Sequence, residues 1–69
     1  MNANERAILE MIVQRLQSGR SCKSLVMLLH NQTMQALPHA LRLNKVTSEN
    51  RDEVITACQN LLKNGELSK

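Results

Sequence analysis

The sequence predicts an all-α protein, a small bundle of three to four short helices that pairs into a dimer. Apolar residues recur at helical spacing along the 69-residue chain, while glycine and proline are scarce and runs of β-branched residues are absent. There is no Phe, Tyr or Trp, so the core has to be built from smaller apolar side chains. Residues 1–69 are expected to form a single domain.

The first helix is predicted from about Ala3 to Ser18. Asn2 is a suitable N-cap, and Glu5, three positions later, has the spacing of a capping box. Gly19 is well placed to end the helix. The apolar positions of this helix form a stripe that is wider than a single neighbouring helix requires.

The second helix is predicted from Ser21 to about Thr33. Its centre, residues 25–29, reads Leu-Val-Met-Leu-Leu and is apolar on every side, which indicates burial in the core or in an interface. A buried strand is the alternative for five consecutive apolar residues, but Met and Leu favour a helix. The helix either stops near Asn31 or continues to Ala36 and kinks.

A short third helix is predicted from about Pro38 to Leu43. Proline disfavours helical geometry in the residue before it and suits the first turn of a new helix. Ala40 and Leu41 are expected to face inward.

The fourth helix has a clear body and a start that the sequence leaves open. Thr47, Ser48 and Asn50 are all candidate caps, and Asn50 with Glu53 has capping-box spacing. Gly65, after Asn64, is expected to end it. One apolar stripe runs along this helix: Val54, Ile55, Cys58, Leu61 and Leu62.

A dimer is expected because so small a domain buries only about 60% of its unfolded surface. Small chains gain stability from disulfides, metal ions or oligomerisation. Helices 1 and 2 carry more apolar surface than one aromatic-free copy is expected to hide, which favours a homodimer. The predicted interface consists of apolar residues of these two helices: Ile8, Leu9, Met11, Ile12, Val13, Leu16, Leu25, Val26, Leu28 and Leu29.

The two cysteines and two histidines do not have the spacing of a zinc site, so no metal or cofactor is predicted. A bridge between Cys22 and Cys58 is the alternative to two buried free thiols. Cys22, near a helix start and Lys23, is also a candidate for a lowered thiol pKa, but no base is placed beside it. No catalytic residue is assigned, and the chain is predicted not to be an enzyme.

The start of the chain does not have the pattern of a signal peptide, and no stretch approaches the roughly 20 apolar residues of a membrane span. With so few cysteines, the expectation is a soluble, cytoplasmic protein without a membrane partner.

Charge is distributed unevenly, although the net charge is only +3. No acidic residue lies between Glu10 and Glu49, and all six acids fall towards the two ends. This middle stretch predicts a positive face that binds an anionic partner, with an ordinary solvated surface as the alternative. The candidate anion-binding residues are Arg15, Arg20, Lys23, Arg42 and Lys45.

One segment resembles small two-helix regulators of bacterial biofilm and stress responses. The resemblance is carried by Ile12-Val13, Leu16, Gly19-Arg20 and Lys23-Ser24-Leu25. It covers less than a third of the chain and contains no residue with specific chemistry, so no site residue is taken from it.

Two functions follow as hypotheses. The first is a small non-enzymatic regulatory or adaptor protein that contacts a protein partner and forms a homodimer. The second is a helical DNA-binding regulator that uses the acid-free middle of the chain. A helix-turn-helix would place its first helix at residues 24–29 and its recognition helix at residues 33–43, where Pro38 would kink it.

Overall fold

The computed structural model describes residues 2–64, and this part of the chain is all-α, as predicted. It contains five helices and no strand, one helix more than the upper end of the predicted range. The helices are α1 (Ala3–Gln17), α2 (Lys23–Val26), α3 (Asn31–Ala36), α4 (His39–Arg42) and α5 (Arg51–Asn64).

Helix α1 begins and ends where the sequence indicates. The Asn2 side chain accepts a 2.8 Å hydrogen bond from the backbone N–H of Glu5, so the predicted cap is confirmed. The Glu5 carboxylate does not complete the capping box, because it is directed towards α3 instead. At the other end Gly19 adopts a φ of 73°, and the Arg20 N–H bonds to the Arg15 carbonyl at 2.8 Å. This is a Schellman turn.

The predicted second helix, Ser21 to Thr33, is wrong: it is two short helices separated by a turn. Helix α2 ends at Val26, and His30 has an extended backbone. In a continuous helix the His30 N–H would bond to the Val26 carbonyl. Here the His30 N–H donates to the Glu5 carboxylate at 2.8 Å, and the Leu29 N–H donates to the Val26 carbonyl instead. A carboxylate 25 positions away thus accepts the N–H that a continuous helix would have paired with Val26.

The expected short helix after Pro38 is present as α4. Leu37 is extended, with φ −77° and ψ 155°, as the residue before a proline should be. Leu41 is buried and Ala40 half-buried, in line with the predicted inward face. The helix ends in a second Schellman turn in which Asn44 takes the left-handed conformation, φ 57°.

Helix α5 begins at Arg51, directly after Asn50, which is one of the three predicted caps. The Val54 N–H bonds to the Asn50 carbonyl at 3.0 Å, and a reciprocal pair of hydrogen bonds holds the turn before the helix. The Thr47 N–H donates to the Asn50 side-chain oxygen at 2.7 Å, and the Asn50 N–H donates to the Thr47 hydroxyl at 3.4 Å. Thr47 and Asn50 thus satisfy each other in the manner of a capping box. The predicted stop at Gly65 lies outside the described residues.

The core lies where α5 and α2 pack against α1. The radius of gyration is 10.8 Å, close to the value of about 11 Å for a compact domain of this length. One copy of the chain therefore encloses a continuous apolar core. Its buried members are Leu9, Ile12, Val13, Leu16, Cys22, Leu25, Val26, Leu29, Leu37, Leu41, Val54 and Cys58.

Candidate interaction surface

A groove beside the turn that follows α2 combines exposed apolar side chains with charged edges. We call it the methionine groove; it has a volume of about 290 Å³. Met27 and Leu43 line the groove, and 69% and 52% of their surface is exposed. The neighbouring Leu28 is 62% exposed. The apolar residues that define the groove are Val26, Met27, Met34, Leu41 and Leu43.

The break between α2 and α3 creates this exposure. The turn is held by hydrogen bonds from the Leu28 N–H to the Leu25 carbonyl and from the Leu29 N–H to the Val26 carbonyl. It directs Leu25, Val26 and Leu29 into the core and leaves Met27 and Leu28 outside. Burial of the whole apolar run in the core is therefore wrong for Met27 and Leu28, while burial in an interface stays a prediction.

The charged residues of the methionine groove are basic. Lys23 and Arg42 both line it, and no carboxylate is found among its lining residues within the described chain. The Arg42 guanidinium lies 2.9 Å from Nδ1 of His39. The groove thus combines an apolar floor with a positive rim.

The residues predicted to form an interface are mainly internal in this structure. Ile8 is half-buried and packs on the core, while Met11 and Leu28 are exposed. The other seven, which are buried against other parts of the same chain, are not accessible to a partner in this conformation: Leu9, Ile12, Val13, Leu16, Leu25, Val26 and Leu29.

The five candidate anion-binding residues are divided between separate places. Arg15 and Arg20 line a depression beside the end of α1, and the Arg15 guanidinium reaches the Ser21 carbonyl at 3.4 Å. Lys23 and Arg42 line the methionine groove. Lys45 is exposed, and its carbonyl accepts a 3.3 Å hydrogen bond from the Asn50 side chain.

Arg51 is a basic residue that was not among the predicted anion-binding residues. It lines a recess together with Arg20, although 31 positions of chain separate them. In the sequence it stands among Glu49, Asp52 and Glu53, so counting charges along the chain conceals it. Arg51 lies at the N-terminus of α5 and faces the turn after α1. This proximity depends on the tertiary fold, and no neighbouring residue in the sequence indicates it.

The cysteines are free and buried, and their environment works against reactivity. Burial raises the pKa of the Cys22 thiol, and nearby Arg15 offsets only part of this, so a lowered thiol pKa is wrong for Cys22. Burial, with a smaller effect from Cys22, raises the pKa of Cys58 to about 11. The Cys22 thiol donates to the Ile12 carbonyl at 3.5 Å.

Within residues 2–64 there is no group of three His, Cys, Asp or Glu side chains arranged to hold a metal ion. In the same part of the chain, none of the helices has both the length and the apolar content needed to cross a bilayer.

The segment considered for a helix-turn-helix has a different geometry. The stretch expected as a recognition helix, residues 33–43, is divided between α3 and α4 at Leu37 and Pro38. These helices have six and four residues, so neither offers the continuous helix that reads a major groove in that motif.

Comparison of the chain with protein-family models, with curated proteins and with solved structures found no match. The candidate site therefore has to be argued from its own geometry.

Proposed function

We propose that this chain is a small, non-enzymatic regulatory or adaptor protein that acts through protein–protein contacts, with the methionine groove as its contact surface. The observation that supports this is the exposure of two large apolar side chains, Met27 and Leu43, that line the same groove. Grouped exposed apolar residues with polar edges are typical of interaction sites. Two buried free thiols suit a reducing cytoplasm.

The proposed partner is an amphipathic segment that carries both apolar and acidic side chains. The apolar floor of the groove suits an apolar helix face, and two flexible methionines, Met27 and Met34, adapt to different side chains. Lys23 and Arg42 would face carboxylates at the edge of that segment. Charge complementarity therefore selects an acidic partner.

A second copy of this chain is the other occupant to consider, since a homodimer is expected from the sequence. A symmetric dimer places the same surface patch of both copies in contact. At this groove it would bring Lys23 and Arg42 of one copy towards the same residues of the other. Like charges oppose that arrangement, so an acidic partner of another kind is favoured.

The test uses a designed probe, because the natural partner is not identified by the geometry. The probe is a synthetic amphipathic helix with leucines on one face and glutamates beside them; the control peptide has lysines in place of the glutamates. Titrated into the isotope-labelled chain, the acidic peptide should shift the backbone amide signals around Met27, Met34 and Leu43. The lysine peptide should bind at least about tenfold more weakly.

Two methionine variants localise the contact. Met27→Gln should weaken binding of the acidic peptide about tenfold, because burial of a methionine side chain contributes on the order of 1.5 kcal/mol or more. Met11→Gln, which alters an exposed methionine away from the groove, should leave it unchanged. Equal effects of the two variants would argue against this surface. Sedimentation equilibrium tests the homodimer. Binding of duplex DNA at about 50 mM salt, where phosphate contacts are strong, tests the DNA-binding alternative.

A further inference from the structure

A second depression, which adjoins the methionine groove and shares Leu41 and Asn44 with it, lies between the turn after α1 and the segment that joins α4 to α5. Its volume is about 210 Å³. We call it the arginine recess, defined by the polar residues Arg20, Ser21, Asn44 and Arg51 and by the apolar residues Leu16, Leu41 and Val46. It brings two arginines together beside a small apolar surface.

The walls of the recess are the two Schellman turns. Gly19 and Asn44, the two left-handed residues of the described chain, both line it. Each turn is closed by a short backbone hydrogen bond, from Arg20 to Arg15 at 2.8 Å and from Lys45 to Ala40 at 2.7 Å. Because these bonds fix the backbone on both sides, the recess is formed before any ligand arrives.

Arg51 enters the recess from the first turn of α5. It is half-buried, and its guanidinium atoms lie 3.7–3.9 Å from the position that a Cβ on Gly19 would occupy. The guanidinium therefore lies over the turn that carries Arg20. Within residues 2–64 no carboxylate lies within 4.0 Å of the Arg51 guanidinium; the one contact of that kind joins His30 to Glu5.

We propose that the arginine recess binds the terminal phosphate of a small phosphomonoester, with Arg20 and Arg51 as its charged ligands. A partly buried guanidinium that lacks a counter-ion is stabilised by a bound anion. The planar fork of arginine matches phosphate oxygens in pairs, and Ser21 offers a further hydroxyl donor. Leu16, Leu41 and Val46 provide an apolar surface for the organic part of the ligand.

The size of the recess favours a small ligand over a nucleic acid. Its volume of about 210 Å³ is below the roughly 300–1,000 Å³ of pockets that hold drug-sized molecules. A duplex is held by several cations spread along its backbone, whereas this recess concentrates two arginines at one point. The proposal does not depend on the methionine groove.

The test titrates the isotope-labelled full chain with inorganic phosphate and with phenyl phosphate, with sodium chloride at matched ionic strength as the control for screening. Both phosphates should shift the amide signals of residues 19–22 and 44–51 in a saturable manner. Phenyl phosphate should bind more tightly, because its ring covers the apolar surface. Absence of saturable shifts for both probes up to about 10 mM would overturn the proposal.

Matched arginine variants then locate the site. Arg51→Gln should weaken phenyl phosphate binding at least tenfold, and Arg51→Lys, which keeps the charge but loses the fork, should weaken it less. Arg42→Gln removes a guanidinium from the methionine groove and should leave binding unchanged. Equal losses in Arg51→Gln and Arg42→Gln would show a diffuse charge effect and contradict the site. If duplex DNA displaces phenyl phosphate at a lower concentration, the ligand of the recess is a nucleic acid and the phosphomonoester proposal is wrong.

Discussion

The carboxylate of Glu5 accepts a 2.8 Å hydrogen bond from the backbone N–H of His30, 25 positions away in the chain. The same oxygen accepts from the buried hydroxyl of Thr33 at 3.1 Å. An acid in the first turn of α1 thus supplies the N-terminal partner that α3 lacks, since His30 makes no side-chain cap of its own. The His30 ring, 72% exposed, covers a Glu5 side chain that is 6% exposed.

Removal of the Glu5 carboxylate should destabilise the fold. Glu5→Ala leaves the buried Thr33 hydroxyl and the His30 N–H without their acceptor, which costs about 1–3 kcal/mol in the free energy of unfolding. The lower part of that range is expected, because the His30 side chain beside this site is itself 72% exposed. Glu10→Ala, at an exposed position of the same helix, should change the free energy of unfolding by less than about 0.5 kcal/mol. Urea unfolding of both variants measures the difference; equal values would refute the role of Glu5.

Stability should also depend on pH through Glu5. Burial opposes the charged carboxylate, but the hydrogen bonds from His30 and Thr33 outweigh it, so the pKa of Glu5 lies below its ordinary value of 4.5. The unfolded chain then binds the proton more readily than the folded one. The contribution of the Glu5 carboxylate to stability is therefore complete above its pKa in the unfolded chain. It is lost as the pH falls through its pKa in the folded chain. Glu5→Gln should show a smaller loss of stability than the wild type below about pH 4.5; identical acid profiles would contradict this.

Both thiols should resist alkylation while the chain is folded. With the Cys58 pKa raised to about 11, roughly one thiol in a thousand is ionised near pH 8, and its side chain has no exposed surface. Iodoacetamide should therefore label the native chain far more slowly than the urea-unfolded chain, as followed by mass spectrometry. Similar rates in the two states would mean that the core around Cys22 and Cys58 opens readily.

The two left-handed turn residues should be sensitive to alanine. Gly19→Ala and Asn44→Ala each force alanine into a positive φ and should cost about 1 kcal/mol. At Gly19 the penalty is conformational, because a Cβ would meet the Arg51 guanidinium only at ordinary contact distance. Ser18→Ala is the control, since Ser18 has right-handed helical geometry and is exposed. A loss of about 1 kcal/mol shifts the unfolding midpoint by about 4–8 °C in a domain of this size, and an unchanged midpoint would count against these turns.

The fold class and the ends of α1 could be predicted because their causes are local. The Asn2 cap and the Gly19 stop depend on residues within a few positions of each other. The start of α5 was harder, because Thr47 with Asn50 and Asn50 with Glu53 have the same spacing. Only packing decides between such overlapping signals.

The break after α2 and the arginine recess could not be predicted, because their causes are distant in the chain. Glu5 reaches His30, and Arg51 reaches the Gly19 turn, across long separations. Periodicity correctly indicated that most of the α1 stripe is buried, with Met11 as an exposed exception, but it does not specify what covers the stripe. In the structure α5 covers much of it, and seven of the predicted interface residues lie inside one copy.

The central claim is that a single copy of this chain buries its own core and leaves the methionine groove free for a partner. The most direct measurement is the thermal unfolding midpoint of the wild type over about a hundredfold range of protein concentration. The account predicts a midpoint that stays constant. A midpoint that rises steadily with concentration would contradict it, because unfolding would then be coupled to dissociation of a dimer.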